Sequence, residues 1–450
     1  MIWRLRGTLY WEMQGGELFS ELLGYLEKTV EGCSDPRPGS NLHYQLRDFF
    51  LSAFAVFFSQ SPSFLAHQRL MEKQKGTSNA RSVFAIRGIP TDNQIRGVLD
   101  QVHPASLRPG FGMALDLLQA REVLDSFRFL GDKLLLALDG TGYFFSESIH
   151  CPSCTEHHHR DGRTTYSHSV LLPVLVHPQR SQVIALEPEF ISPQDGHEKQ
   201  DCEYQAAKRW LESMGGRYAP FGVVLLGDDL FASQPMIEKV RSQKMNYLFV
   251  AKPSSHKYLY EELAGLEKLK GLQEVRRSYW TGRAHRTVIY RYINGVGLNA
   301  RGSDGIEVNW AEITIVDDKG KQTFHSAFIT DFLINAENVA SIVEAGRCRW
   351  KIENENTNTL KTKGYHFEHN FGHGQKYLSS TLLSLNLLAF LFHTVLELLD
   401  RRVALLRASL PRRDTFYQHL AAITQYWQFE SWRHLLLFML QGLGLEDPDG

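Results

Sequence analysis

Two aspartates in this chain each close a short apolar run. Asp139 ends KLLLALD (residues 133–139), and Asp228 directly follows VVLLG (residues 223–227). Runs of this length, bounded by turn-forming residues, read as buried strands. Neighbouring strands lie about 4.8 Å apart, so aspartates at two adjacent strand ends can share a metal ion. A third carboxylate, Glu353 in the helical-looking RWKIE (residues 349–353), would approach from another element. Hard cations such as magnesium, or manganese in its place, prefer oxygen ligands. Two of them held roughly 3.5–4 Å apart support in-line displacement at phosphorus. Asp229 is the alternative to Asp228, and Glu355 and Glu368 are the alternatives to Glu353. Glu355, two positions on, would face away on a helix. Taken singly, an aspartate after a strand more often starts a turn or caps a helix; the three in this order point to phosphoryl transfer.

A second constellation is HCPSC (residues 150–154), followed by His157, His158, His159 and His168. A Cys-x₂-Cys knuckle with nearby histidines has zinc-ligand spacing. Cys151, Cys154 and the later Cys202 would be its ligands, in a structural site. The same segment also reads as a polar hairpin carrying two reduced thiols. A third feature is the alternation of Arg276, Arg277, Arg283, His285, Arg286, Arg291 and Arg301 with Tyr279, Trp280, Tyr290 and Tyr292. Basic and aromatic side chains in alternation suit phosphate contact with base stacking. An exposed antiparallel sheet with one polar face carries a similar pattern.

These residues need elements to hold them. Residues 1–125 read as a mainly helical N-terminal region with a DNA-binding role, and PTDN (residues 90–93) reads as a helix start with Thr91 or Asp92 as cap. A basic loop with Lys73, Lys75, Arg81 and Arg87 precedes it. Residues 126–255 change character. Strands are expected over 133–139, 166–176 and 182–190, then a helix over 200–214, a strand over 223–227, a helix over 235–243 and a strand over 247–252. That order is expected of an α/β, ribonuclease-H-like mixed sheet. Residues 256–334 read as a β-rich insertion. The α/β region resumes over 335–400, and 401–450 read as a helical C-terminal region whose last residues, 446–450, fray. Lys252, just past the fifth strand, would reach DNA at the carboxylates, as would His256.

The segment GRCRWKIE (residues 346–353) resembles the Arg-Trp-x-Ile-Glu signature of bacterial insertion-sequence DDE transposases, of the insertion-sequence-four-like group with a β-rich insertion before the glutamate. LDGT (residues 138–141) is similar to the first-aspartate motif of that family, and GDDLF (residues 227–231) to the second. KTKGYHFEHNFGHG (residues 361–374) resembles one bacterial subgroup. The resemblance covers roughly residues 80 to 400, and its motifs are specific in combination rather than singly. It implies that Asp139, Asp228 and Glu353 hold the metal ions and that Arg349, on the same helix face as Glu353, contacts a DNA phosphate. In the family a tyrosine often stands three residues before this arginine, where this chain has Gly346. A lysine stands seven positions after the glutamate, where this chain has Leu360, with Lys361 one step later. One step on a helix is a rotation of about 100°, so Lys361 shares the face of Glu353 only if the helix is locally distorted.

The resemblance implies Mg²⁺-dependent cleavage at transposon ends and joining of the freed 3′-OH to target DNA, with a homodimer acting on paired ends. A ribonuclease-H-like nuclease that cuts without joining, and a domesticated DNA-binding relative that has lost catalysis, are the alternatives. A domesticated relative would be expected to have lost a carboxylate, and all three are present.

The 450 residues suffice for two to four domains. With 43% hydrophobic and 22% charged residues, the composition is that of an ordinary soluble globular protein. A formal net charge of −1 gives no overall attraction to nucleic acid, so any DNA-binding surface is local. Five cysteines, an odd and sparse set, argue against a disulfide framework and for a cytoplasmic, nucleoid-associated setting. The N-terminus has no signal-peptide pattern. Residues 382–399 form the most apolar stretch, interrupted by Ser384, Asn386, His393 and Glu397; it reads as a buried core helix, not a membrane span.

Overall fold

The apolar run before Asp139 becomes a strand longer than the run itself. In the computed structural model, which describes residues 17–39, 43–193, 201–282, 284–299 and 305–450, a two-residue strand β1 (Arg128–Phe129) leads into β2 (Lys133–Ser146). There follow β3 (Thr155–His158), β4 (Thr164–Val176) and two short pieces, β5 (Ile184–Ala185) and β6 (Glu189–Ile191). The third strand expected over 182–190 is thus broken in two, and both pieces pair with β4. Pro188 lies between them and cannot donate to the ladder.

The alternation of strand and helix continues with β7 (Val223–Gly227), β8 (Asn246–Val250), β9 (Gln273–Trp280), β10 (His285–Gly297), β11 (Glu307–Val316) and β12 (Gln322–Thr330). The twelve strands among the described residues belong to one mixed sheet, with the path β3-β4-β2-β7-β8-β12-β11-β10-β9. The pairs β2–β7 and β7–β8 are parallel, and the other pairs are antiparallel. The residues expected as a β-rich insertion therefore extend the central sheet through β12 on β8, with Phe328 opposite Val250 and Thr330 opposite Leu248. They also begin with a helix, Lys257–Lys268, that the β-rich reading did not anticipate.

Fifteen α-helices are described among these residues. Before the sheet come α1 (Glu17–Glu31), α2 (Leu46–Phe58), α3 (Phe64–Glu72), α4 (Gln74–Ser82), α5 (Asp92–Leu99) and α6 (Arg108–Ala120). Thr91 caps α5, its hydroxyl accepting from the Gln94 N–H at 3.3 Å. The basic stretch expected as a loop is mostly α4. Within the sheet region lie α7 (Glu203–Tyr218), α8 (Gln234–Ser242), α9 (Lys257–Lys268) and α10 (Val339–Arg347). A π-helical turn, Ile352–Thr357, runs into α11 (Asn358–Thr362). The chain ends with α12 (Leu378–Leu399), α13 (Arg401–Ser409), α14 (Arg413–Tyr426) and α15 (Trp432–Gly442).

α12 ties the two ends of the chain together. It is the single described helix long and apolar enough to cross a membrane, and 83% of its apolar window is buried inside the protein. Its polar residues have internal partners. Thr381 donates to the Val102 carbonyl at 2.7 Å, Asn386 to the Tyr365 carbonyl at 2.8 Å, and His393 lies 2.6 Å from the Tyr365 hydroxyl and 3.0 Å from the Phe58 carbonyl. Asp100 gathers the N–H groups of Gln375, Lys376, Tyr377 and Leu378 at the start of α12, which suits an anion at a helix N-terminus. The last residues are also anchored, contrary to the fraying expected of them. The buried Arg402 pairs with Asp447 and Asp449, each at 2.8 Å.

Candidate active site

The parallel ladder between β2 and β7 sets the first two carboxylates level. Leu134 pairs with Val223 and Ala137 with Leu226, a constant offset of 226 − 137 = 89. Extending it by two residues gives 139 + 89 = 228, which sets Asp228, in the turn just past the end of β7, level with Asp139 in the middle of β2, and the Asp228 charge acts on the Asp139 carboxyl. The turn after β7 is tight. The Leu230 N–H donates to the Asp228 carboxylate at 2.9 Å, Phe231 is fully buried, and a Cβ on Gly227 would lie 2.7 Å from the Phe231 ring. The Gly-Asp-x-x-Phe pattern is thus a closed turn with an aromatic anchor.

Asp229 is committed elsewhere. It accepts from the Lys252 N–H at 2.6 Å and from the Ser255 hydroxyl, and it lies 3.3 Å from His256 Nε2. It organises the loop after β8, and Asp228 keeps the place beside Asp139. His256 serves this loop; Lys252 has an exposed side chain.

Glu353 comes from the π-turn, which packs against β2 and β4. Ile352 is fully buried and Lys351 nearly so, its ammonium reaching the Arg180 carbonyl. Glu353 itself is exposed over half its side chain and pairs with Arg349 at 2.7 Å. A π-turn closes hydrogen bonds from i to i+5 and so absorbs one extra residue. Leu360 is fully buried, and with that residue taken up Lys361 is close enough for its charge to act on Asp139. Lys361 pairs with Glu368 at 2.8 Å and lowers the proton affinity of Asp139. This is the local distortion that the register of Leu360 and Lys361 required. Gly346 also has a reason: a Cβ there would lie 2.6 Å from Phe328 on β12, which leaves no space for a tyrosine. Glu355 faces a different cavity, lined by Gln182, Glu397, Arg407 and Arg412.

The structure adds a fourth carboxylate that the sequence reading missed. Glu203 opens α7 and reaches over Gly140, where a Cβ would lie 2.6 Å from its carboxylate. The glycine after Asp139 is therefore the gap through which Glu203 joins the cluster. Glu203 Oε1 is buried with no hydrogen-bond partner among the described residues. Burial pushes the Asp139 carboxyl up to about 6; Arg349 and Lys361 oppose this, while Glu353 and Asp228 reinforce it. Burial pushes Glu203 up to about 7, reinforced by Asp139 and Asp228 and opposed by the Gly140 N–H and Arg349. These shifts are the mark of crowded, poorly solvated negative charge. The arrangement is an all-oxygen donor set with unspent charge and one orphaned oxygen, which suits hard divalent cations.

The basic positions separate into two kinds. Arg291 is bound within the protein, to the buried Glu312 and, at 2.5 Å, to Glu267, so it is not available to DNA as expected. Arg286 is exposed at the outer end of the β9–β10 hairpin, opposite Tyr279, with His285 opposite Trp280. Both aromatics are exposed. Arg283 and Arg301 lie outside the described residues.

A separate cluster joins Cys151, Cys154, His168 and His373, all buried, with one ligand-type atom from each lying within 4.8 Å of the others. Cys202 is not part of it. It is the exposed N-cap residue of α7, and two histidines take the places expected of a thiol. His168 was visible near the knuckle in sequence; His373, 219 residues from Cys154, carried no spacing signal.

No protein-family model matches this sequence, and no curated protein matches it significantly.

Proposed function

We propose that this protein is a DNA transposase of the DDE type, acting through Asp139, Asp228 and Glu353 on a ribonuclease-H-like α/β core. The observation that carries the reading is the convergence of three carboxylates, distant in sequence, on one partly buried spot. Asp139 lies on β2 and Asp228 just past the parallel strand β7, Glu353 comes from a π-turn packed on β2, and the charges of Asp228 and Glu353 both act on Asp139. The resemblance of their flanking motifs to the insertion-sequence family supports the same assignment.

Asp139, Asp228 and Glu353 would hold Mg²⁺, with Glu203 beside them. Bound there, the ions would lower the pKa of an attacking water or 3′-OH and offset charge on the leaving oxygen. The protein's own groups do the rest. Asp139 keeps its position because the β2–β4 ladder sets it, and Asp228 because the tight turn after β7 holds it. Arg349 holds Glu353 in place and presents a guanidinium suited to a phosphate. Lys361 presents a second cation on the same side, and Lys252 and the β9–β10 hairpin supply further contacts with the DNA.

The test is a cleavage and strand-transfer assay on the DNA ends that flank the gene, with Mg²⁺ present. Wild type is expected to cut and to join. Asp139→Asn, Asp228→Asn and Glu353→Gln are each expected to lose roughly 10³-fold or more, the upper range for removing one charge-stabilising group, while DNA binding persists. Cutting without joining would replace the transposase reading with a nuclease. Binding without cutting in any divalent metal would replace it with a non-catalytic DNA-binding protein.

A further inference from the structure

We propose that Cys151 Sγ, Cys154 Sγ, His168 Nε2 and His373 Nε2 form a closed, four-coordinate zinc site that clamps the loop following the π-turn onto the sheet. A tetrahedral zinc with Zn–S near 2.3 Å and Zn–N near 2.0–2.1 Å requires edges of about 3.8 Å between sulfurs and about 3.6 Å between sulfur and nitrogen. The sulfurs stand 3.9 Å apart. His168 Nε2 lies 3.5 Å from each of them, and His373 Nε2 lies 3.6 Å from Cys154 Sγ. A disulfide would need the sulfurs at about 2.05 Å, so the pair is held apart at the spacing a shared ion sets.

The backbone is shaped for the same purpose. The Cys154 N–H donates to the Cys151 carbonyl at 3.1 Å, and the Cys151 N–H points at Cys154 Sγ at 3.4 Å. The chain therefore turns around a sulfur and places a donor on it, which stabilises a thiolate. Aromatic rings of β2 pack the two imidazoles. Tyr143 stacks on His168 at 5.7 Å between centroids, and Phe144 lies 4.3 Å from His373. All four ligands come from the protein and all are buried, which leaves no open position and marks the site as structural, not catalytic. On binding, each thiol gives its proton to solvent and the ion takes two thiolates and two neutral imidazoles.

The clamp joins three segments: the knuckle after β2, the strand β4, and the loop of residues 363–377 between α11 and α12. That loop includes Glu368, the partner of Lys361. Closing so long a stretch of chain with one ion removes much freedom from the unfolded state.

This centre is independent of the carboxylate cluster, and its test needs no activity. Untagged protein purified without added metal is assayed for zinc by elemental analysis. The expected content is about one ion per chain, lost in Cys154→Ser and His373→Ala and kept in Cys202→Ser. Zinc is then replaced with cobalt, which should give thiolate-to-metal charge-transfer absorption and the intense visible bands of a tetrahedral site. If the variants fail to fold, the cobalt spectrum of the wild type decides. Wild-type protein that holds no zinc and gives no such bands overturns the proposal. So does zinc that persists at full content in folded Cys154→Ser and His373→Ala.

Discussion

Asp139 and Glu203 bind protons more tightly in the folded protein than carboxyls ordinarily do, at about 6 against 3.8 and about 7 against 4.5. Between these limits the folded state holds more protons than the unfolded chain. These two groups therefore contribute stability to the Mg²⁺-free protein that is lost as pH rises from about 4 through about 7, while histidines whose proton affinity burial lowers, such as His67 and His393, contribute with the opposite sign. Thermal melts at pH 5 and pH 8 in magnesium-free buffer read this contribution as the difference between wild type and Asp139→Asn: the variant is expected to gain stability relative to wild type on going to pH 8, and added Mg²⁺ to favour wild type there. An unchanged pH dependence in that variant would mean that the cluster is not its source. Glu203→Gln is expected to weaken Mg²⁺ binding about 10–100-fold, the usual effect of losing a partner around a metal site, as read by titrating Mg²⁺ in the cleavage assay. An unaltered Mg²⁺ dependence would make Glu203 a bystander. At this scale the sequence was informative where an apolar run leads into an aspartate, as at Asp139 and Asp228, although β2 continues past Asp139 to Ser146. It was silent about Glu203, a lone acidic residue in a first helical turn, where carboxylates are common for reasons of the helix dipole alone. It overvalued Arg291, because a basic residue in a strand looks the same whether it faces DNA or a buried Glu312.

The π-turn at Ile352–Thr357 is the element on which the reading of residues 346–374 depends. Lys361 stands eight positions after Glu353, about one more than two α-helical turns accommodate, and the wide turn takes up the surplus. Deleting Asn354, an exposed member of the turn, should restore regular helix and rotate Lys361 by about 100° away from the carboxylates. The expected result is loss of cleavage in a protein that still folds, judged by circular dichroism and melting temperature. Retained cleavage would show that the position of Lys361 is immaterial. The misfit between Leu360 and Lys361 was legible in sequence, and so was the condition that would cure it. The distortion itself was not, because propensity scales describe regular helices and a π-turn is fixed by packing, here by the burial of Ile352 and Leu360.

At the scale of the molecule, one sheet runs from the carboxylates to an exposed hairpin tip. β10 and β9 are the third and fourth strands beyond β8, and Tyr279, Trp280, His285 and Arg286 stand at their outer end. The double substitution Trp280→Ala with Arg286→Ala is expected to weaken DNA binding and to reduce the salt dependence of its affinity by about one phosphate contact, a change in slope of about 0.9, with the melting temperature unchanged. No change in that slope would remove the hairpin from the DNA path. The α/β character and the order of the first elements were readable from apolar runs and turn residues. The continuity of the sheet was not, because strand pairing is a long-range choice: nothing local to residues 322–330 says that β12 will lie against β8. His373 was hidden for the same reason, since only the folded chain brings it to Cys154.

The shared offset of 89 residues between β2 and β7 makes the carboxylate pair a matter of phase. Inserting one residue in either strand, between the paired stretch and its aspartate, would turn that side chain to the other face of the sheet. Inserting two would restore the face but carry the carboxylate about 6.6 Å along the strand, out of reach of an ion shared with its neighbour. Neither strand can lengthen there alone. Only matched insertions in both would preserve the site, so drift in this lineage should leave these two segments fixed in length while the connections between them vary freely.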